Sequence, residues 1–103
     1  VENARLDVRF WYPAAEDRAF HRINWVEPER NLAVGFHQDG DHAELGPCHL
    51  QLDYEDRTVI RHEAAFLDAH PLAVLDQRLQ QLPDALAAID WTDEQPVLPA
   101  WPP

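Results

Sequence analysis

Between His37 and Tyr54 the chain reads HQDGDHAELGPCHLQLDY, which places three of its six histidines and its only cysteine within eighteen residues. Imidazole is the side chain whose ordinary pKa lies closest to neutrality, so a pair of histidines can divide the roles of general acid and general base. His37, His42 and His49 are therefore candidate catalytic groups. Cleavage of RNA by its own 2′-OH also needs a cation for the phosphate, and Arg9 or Arg22 could supply it. A second chemistry uses the same rings: His37, His42 and His49, with Asp39 or Asp41, could hold zinc or another transition metal. The spacing matches no standard zinc finger. In a third reading the cluster is structural, its histidines and acids hydrogen-bonding to one another and to water. Cys48 is expected to be a small buried hydrophobe rather than a ligand or a nucleophile.

Strand alternation should bring these residues together. In Arg5–Tyr12, Leu6, Val8, Phe10 and Tyr12 share one face, and Arg5, Asp7, Arg9 and Trp11 share the other. Pro13 stops this strand because it cannot donate to the ladder. A second strand spans Ala19–Glu27, with His21, Ile23 and Trp25 on one face, and Pro28 turns the chain into a third over Asn31–Gln38. There Leu32, Val34 and Phe36 point one way and His37 the other, with Gly35 marking a bulge or a close backbone approach. The turn dipeptides Asp39-Gly40 and Gly46-Pro47 bound a loop. A fourth strand follows over Cys48–Glu55, with Cys48, Leu50, Leu52 and Tyr54 toward the core. His37 and His49 should then meet on the exposed, non-core face. A fifth strand over Thr58–Phe66 brings His62 to that face if it pairs with the fourth.

The segment Asp68–Pro71 opens a helix, with His70 as a start residue and Pro71 suited to the first turn. Leu72, Leu75, Leu79, Leu82, Leu86 and Ile89 form one apolar stripe. Pro83 should kink or restart that helix. Residues 92–103 read as a Pro-rich extended tail that packs through Trp91, Leu98 or Trp101. The expected architecture is α+β: a single domain over residues 1–91, with an antiparallel sheet of about five strands and one C-terminal amphipathic helix packed on one face.

Composition narrows the function classes. The chain has 103 residues and a formal charge of −11, and it contains neither serine nor lysine. Catalysis by a Ser/His/Asp triad is thereby excluded. Scattered acids in a lysine-free chain point to a salt-adapted cytoplasm more than to a basic partner. A single cysteine forbids an internal disulfide and suits a reducing compartment. No apolar run approaches bilayer length and no signal peptide is visible. The chain starts at Val1 without a methionine, so preceding residues are expected.

Arg9-Phe10-Trp11, Gly35-Phe36-His37, Gly40-Asp41-His42 and His49, followed by the helix after Pro71, resemble in their order the small toxins of the TumE type. The resemblance covers about residues 4–82. It implies a toxin of a toxin–antitoxin pair that acts on RNA and is neutralised by a helix-turn-helix antitoxin. Two other readings stand beside it. One is a histidine-rich metal-binding protein. The other is a non-catalytic, homo-oligomeric binding module that uses Trp11 or Trp25, since a sheet covered by one helix leaves an apolar face in need of a partner.

Overall fold

The computed structural model describes residues 3–103, so the first two residues of the expected 1–91 unit lie outside the described residues. Five strands, β1 (Arg5–Trp11), β2 (Phe20–Glu27), β3 (Leu32–Gln38), β4 (Cys48–Tyr54) and β5 (Arg57–Ala64), form an antiparallel sheet in sequential order. The helix α1 (Pro71–Ala87) packs on one face of it. This is the expected α+β arrangement. Among the described residues no helix is long and apolar enough to cross a membrane.

The turns follow from residue chemistry. Pro28–Arg30 forms a single 3₁₀ turn between β2 and β3, closed by Asn31 in the left-handed region at φ 50°. Between β4 and β5, Glu55 and Asp56 both take positive φ, 53° and 60°, the pair of conformations a two-residue hairpin needs to match strand twist.

Apolar alternation decides which side faces the helix. Ile23, Val34, Phe36, Leu50 and Leu52 are fully buried there, and α1 adds Leu82 and Ala85. Burying each large side chain contributes about 1.5–3 kcal/mol. Cys48 joins this core, as its strand phase requires.

The helix is rotated from its leucine stripe. Its buried positions are Val74, Arg78, Leu82 and Ala85, whereas Leu72 is 71 % and Leu79 38 % exposed. Arg78 reaches the interior because its guanidinium lies 4.7 Å above the Phe36 ring and donates to the Ala65 carbonyl and, at 2.8 Å, to Gln81 Oε1. His70 caps the helix as expected, its Nδ1 accepting from the Leu72 amide. Pro83 sits inside one uninterrupted helix, on its exposed side.

Residues beyond the helix are more ordered than an extended tail. Asp90–Thr92 (β6) and Gln95–Val97 (β7) make a hairpin through Asp93 and Glu94, again both at positive φ. Leu98 is 1 % exposed in the main core, and Trp101 meets Phe36 edge-on at 5.4 Å. The segment therefore completes the core of the preceding unit.

The uncovered sheet face corrects the expectation of a large apolar surface. Cross-strand register lines up Arg9, Arg22, His37, His49 and Glu63 in one row, and Asp7, Asn24, Gly35, Gln51 and Arg61 in the next. Both rows are polar. Exposed apolar groups lie instead on the helix side of edge strand β1, where Leu6 and Val8 are 41 % and 42 % exposed. Trp25 packs on that side too, against the core, with its Nε1 donating to Glu27 Oε2.

Candidate metal centre

His37 and His49 are directly paired across β3 and β4, and their rings meet edge to face at 5.1 Å between centroids. The expected convergence is therefore present, but not the expected exposure: His37 is 6 % and His49 1 % exposed. The 39–47 loop accounts for this burial. It carries the His42 ring to 5.3 Å from that of His49, edge to face. His42 takes a left-handed conformation, φ 57°, which turns the chain into the short 3₁₀ segment Ala43–Leu45.

The neighbouring side chains orient each imidazole. His37 Nε2 lies 2.8 Å from Asn24 Oδ1, to which it donates in the tautomer that carries its proton on Nε2. Asn24 has room to lie across β3 only because residue 35 is glycine: a Cβ there would fall 2.0 Å from Asn24 Oδ1 and 2.2 Å from the Ile23 carbonyl oxygen. Gly35 thus marks a close approach within regular pairing, with no bulge. His49 Nε2 donates to Gln51 Oε1 at 3.1 Å. The Gln51 amide can point only one way. Its Nε2 donates to both Asp53 carboxylate oxygens, and its Oε1 accepts from Arg61 Nε, so reversal would set donor against donor and acceptor against acceptor. Gln51 thus fixes the proton of neutral His49 on Nε2 and leaves its Nδ1 a lone pair, and His37 matches it in the tautomer that donates to Asn24 Oδ1.

Electrostatics keeps the rings neutral. Burial is the largest influence on His37 and, with the adjacent His49, lowers its pKa to about 4. Burial likewise lowers His49. For Asp39 burial pulls upward, but the Asp41 amide and the Arg22 guanidinium outweigh it and hold the carboxyl below its ordinary value. Arg22 grips Asp39 Oδ2 through Nε at 2.9 Å and Nη2 at 2.8 Å. Two neutral imidazoles therefore face one ionised carboxylate, and donor atoms of His37, Asp39 and His49 all lie within 4.8 Å of one another.

Other sequence candidates fall around this group. Asp41 is not part of it; its amide donates to Asp39 Oδ1, and its carboxylate lies 3.4 Å from Arg22. His42 lines the mouth with Nδ1 3.4 Å from Glu44. Arg9 shares the histidine row, but its guanidinium lies over Trp11 at 4.4 Å; of the two arginines expected to serve the phosphate, Arg22 is the one that lines the cleft. Cys48 lies on the core side, where its thiol donates to Gln38 Oε1 at 2.9 Å and burial pushes its pKa up.

His62 is on the core side as well, its Nε2 paired with the Leu98 carbonyl. A bulge explains this. Pairing runs Asp53↔Thr58 and then Leu52↔Ile60, so Val59 has no partner. Every later side chain of β5 is turned over, which places Arg61 and Glu63 on the polar face and His62 beneath it. Sequence reasoning therefore missed Arg61, and it named neither Asn24 nor Gln51 as supports for the rings.

Comparison with protein-family models, curated proteins and solved structures finds no match. The site itself carries the chemistry. Its cleft, of about 330 Å³, is lined by Arg22, His37, Asp39, His42, Gln51 and Arg61 among others.

Proposed function

We propose that the chain binds one divalent transition-metal ion, zinc in the first instance, through His37, His49 and Asp39. The observation that carries this reading is the pair of neutral, buried imidazoles whose Nε2 atoms are held by Asn24 and Gln51 while their Nδ1 lone pairs remain for a ligand. Metal-binding histidines are commonly oriented in this way by a hydrogen bond at the far nitrogen. The donor set is also chemically apt, since imidazole and carboxylate suit zinc and its first-row neighbours. Bond lengths of about 2 Å require the donors to close to about 3.3 Å apart, a movement within side-chain reach. A bound ion would supply an acidified water at the floor of a cleft that holds Arg22 and Arg61.

The competing reading is a ribonuclease-like toxin, bound by an antitoxin, that uses His37, His42 and His49 with Arg9 on RNA. It needs an imidazolium near neutrality, and the lowered pKa values of His37 and His49 favour the metal reading over it. Self-association through edge strand β1, with its exposed Leu6 and Val8, is compatible with either.

Purified protein, stripped with chelator and titrated with zinc, is expected to take up one equivalent per chain by calorimetry and elemental analysis. His37→Asn/His49→Asn should lose that equivalent while keeping its circular dichroism. Wild-type protein that takes up no stoichiometric zinc, cobalt or nickel would sink the proposal. Growth arrest with RNA loss for wild type, but not for a His37/His42/His49 triple alanine variant, would move the assignment to the toxin.

A further inference from the structure

The two edges of the sheet differ. β5 is interrupted by the unpaired Val59, and a bulge of this kind blunts an edge. β1 runs for seven residues in unbroken register with β2 and contains no proline. Its residues from Arg5 to Arg9 are all exposed, although they alternate between the two faces. Such an edge presents a row of unpaired backbone donors and acceptors. Charge on an edge ordinarily repels a second strand, but here Arg5, Asp7 and Arg9 alternate in sign along the polar face.

We propose that a second copy of this chain pairs with it along β1, antiparallel about a two-fold axis at Val8, so that the two sheets become one. Val8 is the midpoint of the strand, so this register pairs its whole length. It sets Asp7 of each copy opposite Arg9 of the other, with Arg5 opposite Trp11. On the helix side it sets Val8 against Val8 and Leu6 against Phe10. Moving the two-fold by one residue sets Asp7 against Asp7 in one direction and Arg9 against Arg9 in the other. The full-length pairing is therefore also the one without a like-charge clash.

The charges of a single copy leave room for this partner. Arg9 stands directly opposite Arg22 in its own sheet, a destabilising like-charge pair. Asp39 and Asp41 answer Arg22, but among the described residues no carboxylate forms an ion pair with Arg9. Asp7 of a second copy supplies one. Asp7 is available for it, because its own bond to Arg5 joins two exposed groups and contributes little. The apolar half of the edge agrees. Leu6, Val8 and, just past the strand, Tyr12 are exposed on the helix side. Leu6 also lines, with Leu79 and Leu86, a groove between β1 and α1. A two-fold perpendicular to the sheet keeps both helices on the same side, so the apolar flanks meet as the polar rows do. The pairing is independent of the metal centre, which lies on β3, β4 and the loop between them.

Sedimentation equilibrium of the whole chain tests it. Wild type should show a monomer–dimer equilibrium at micromolar concentrations. Asp7→Arg and Arg9→Asp should each raise the dimer dissociation constant at least about tenfold, since both cross-strand ion pairs become like-charge pairs. Mixed together, the two variants should associate within about threefold of wild type, because the guanidinium introduced in one faces the carboxylate introduced in the other. Should a reversal disturb the strand, Val8→Cys gives a second measure. Its two thiols meet at the two-fold and should crosslink on oxidation at least about tenfold faster than those of Leu6→Cys, which stand about 13 Å apart along the strand. The proposal is overturned if wild type stays monomeric to its solubility limit, if folded reversals leave the dimer intact or fail to pair when mixed, or if the two cysteine variants crosslink equally.

Discussion

At the scale of single residues, the histidines differ in what completes them. His37 and His49 each spend one nitrogen on a protein amide and keep the other. His21 keeps a nitrogen that none of the described residues satisfies. His21 also gives the clearest dependence on pH. Its pKa is about 4 in the folded chain against an ordinary 6.5, so the unfolded chain takes up the proton first. Its contribution to stability is fully present above pH 6.5 and is lost as pH falls from 6.5 toward 4. The stability difference between wild type and His21→Phe should therefore shrink, or turn against wild type, by on the order of 2 kcal/mol across that window. Urea unfolding at pH 7.5, 6 and 5 measures it, and a difference constant across the three would contradict the assignment. The meeting of His37 with His49 was legible from strand alternation. Their burial was not, because nothing in Asp39–Pro47 signals that this loop folds back over the sheet.

Among the elements, the strands were legible and the helix only in part. Period-two alternation is a strong signal, and it assigned the faces of β1 to β4 correctly. Counting leucines misjudged α1, because the buried face uses Ala85, which is small, and Arg78, which is charged yet fully buried. The rotation has a measurable consequence. Leu72→Gln, at an exposed position, should change stability by less than about 0.5 kcal/mol. Leu82→Ala should cost about 2–5 kcal/mol, since the cavity it leaves is walled by the sheet. Thermal or chemical unfolding of both variants decides the matter, and equal losses would restore the leucine stripe. The bulge in β5 was hidden for a related reason: Val59 and Ile60 are both apolar, so alternation gives no phase at the point where the phase changes.

For the molecule as a whole, charge and architecture act separately. A net charge of −11 on a chain with eight basic residues implies self-repulsion at low ionic strength. Raising salt shortens the Debye length from about 10 Å at 0.1 M to about 3 Å at 1 M. The thermal midpoint should rise over that range for metal-free protein, and a flat or falling midpoint would show that ion pairs such as Arg22–Asp39 outweigh the repulsion. The composition made this legible, but it did not reveal that four of the eight arginines, Arg5, Arg9, Arg22 and Arg61, have register positions on the polar sheet face. Arg61 is there because Val59 is unpaired. In genetic terms, losing residue 59 would straighten β5 yet leave the cleft unchanged, since Arg61 would stay opposite Gln51 and His62 opposite Leu50. Taking Val59 into the ladder opposite Leu52, at unchanged length, would instead set His62 opposite His49 and withdraw Arg61, exchanging a guanidinium for a third imidazole. One sequence thus has two registers of β5, and the bulge is what selects the arginine-bearing cleft over a three-histidine one.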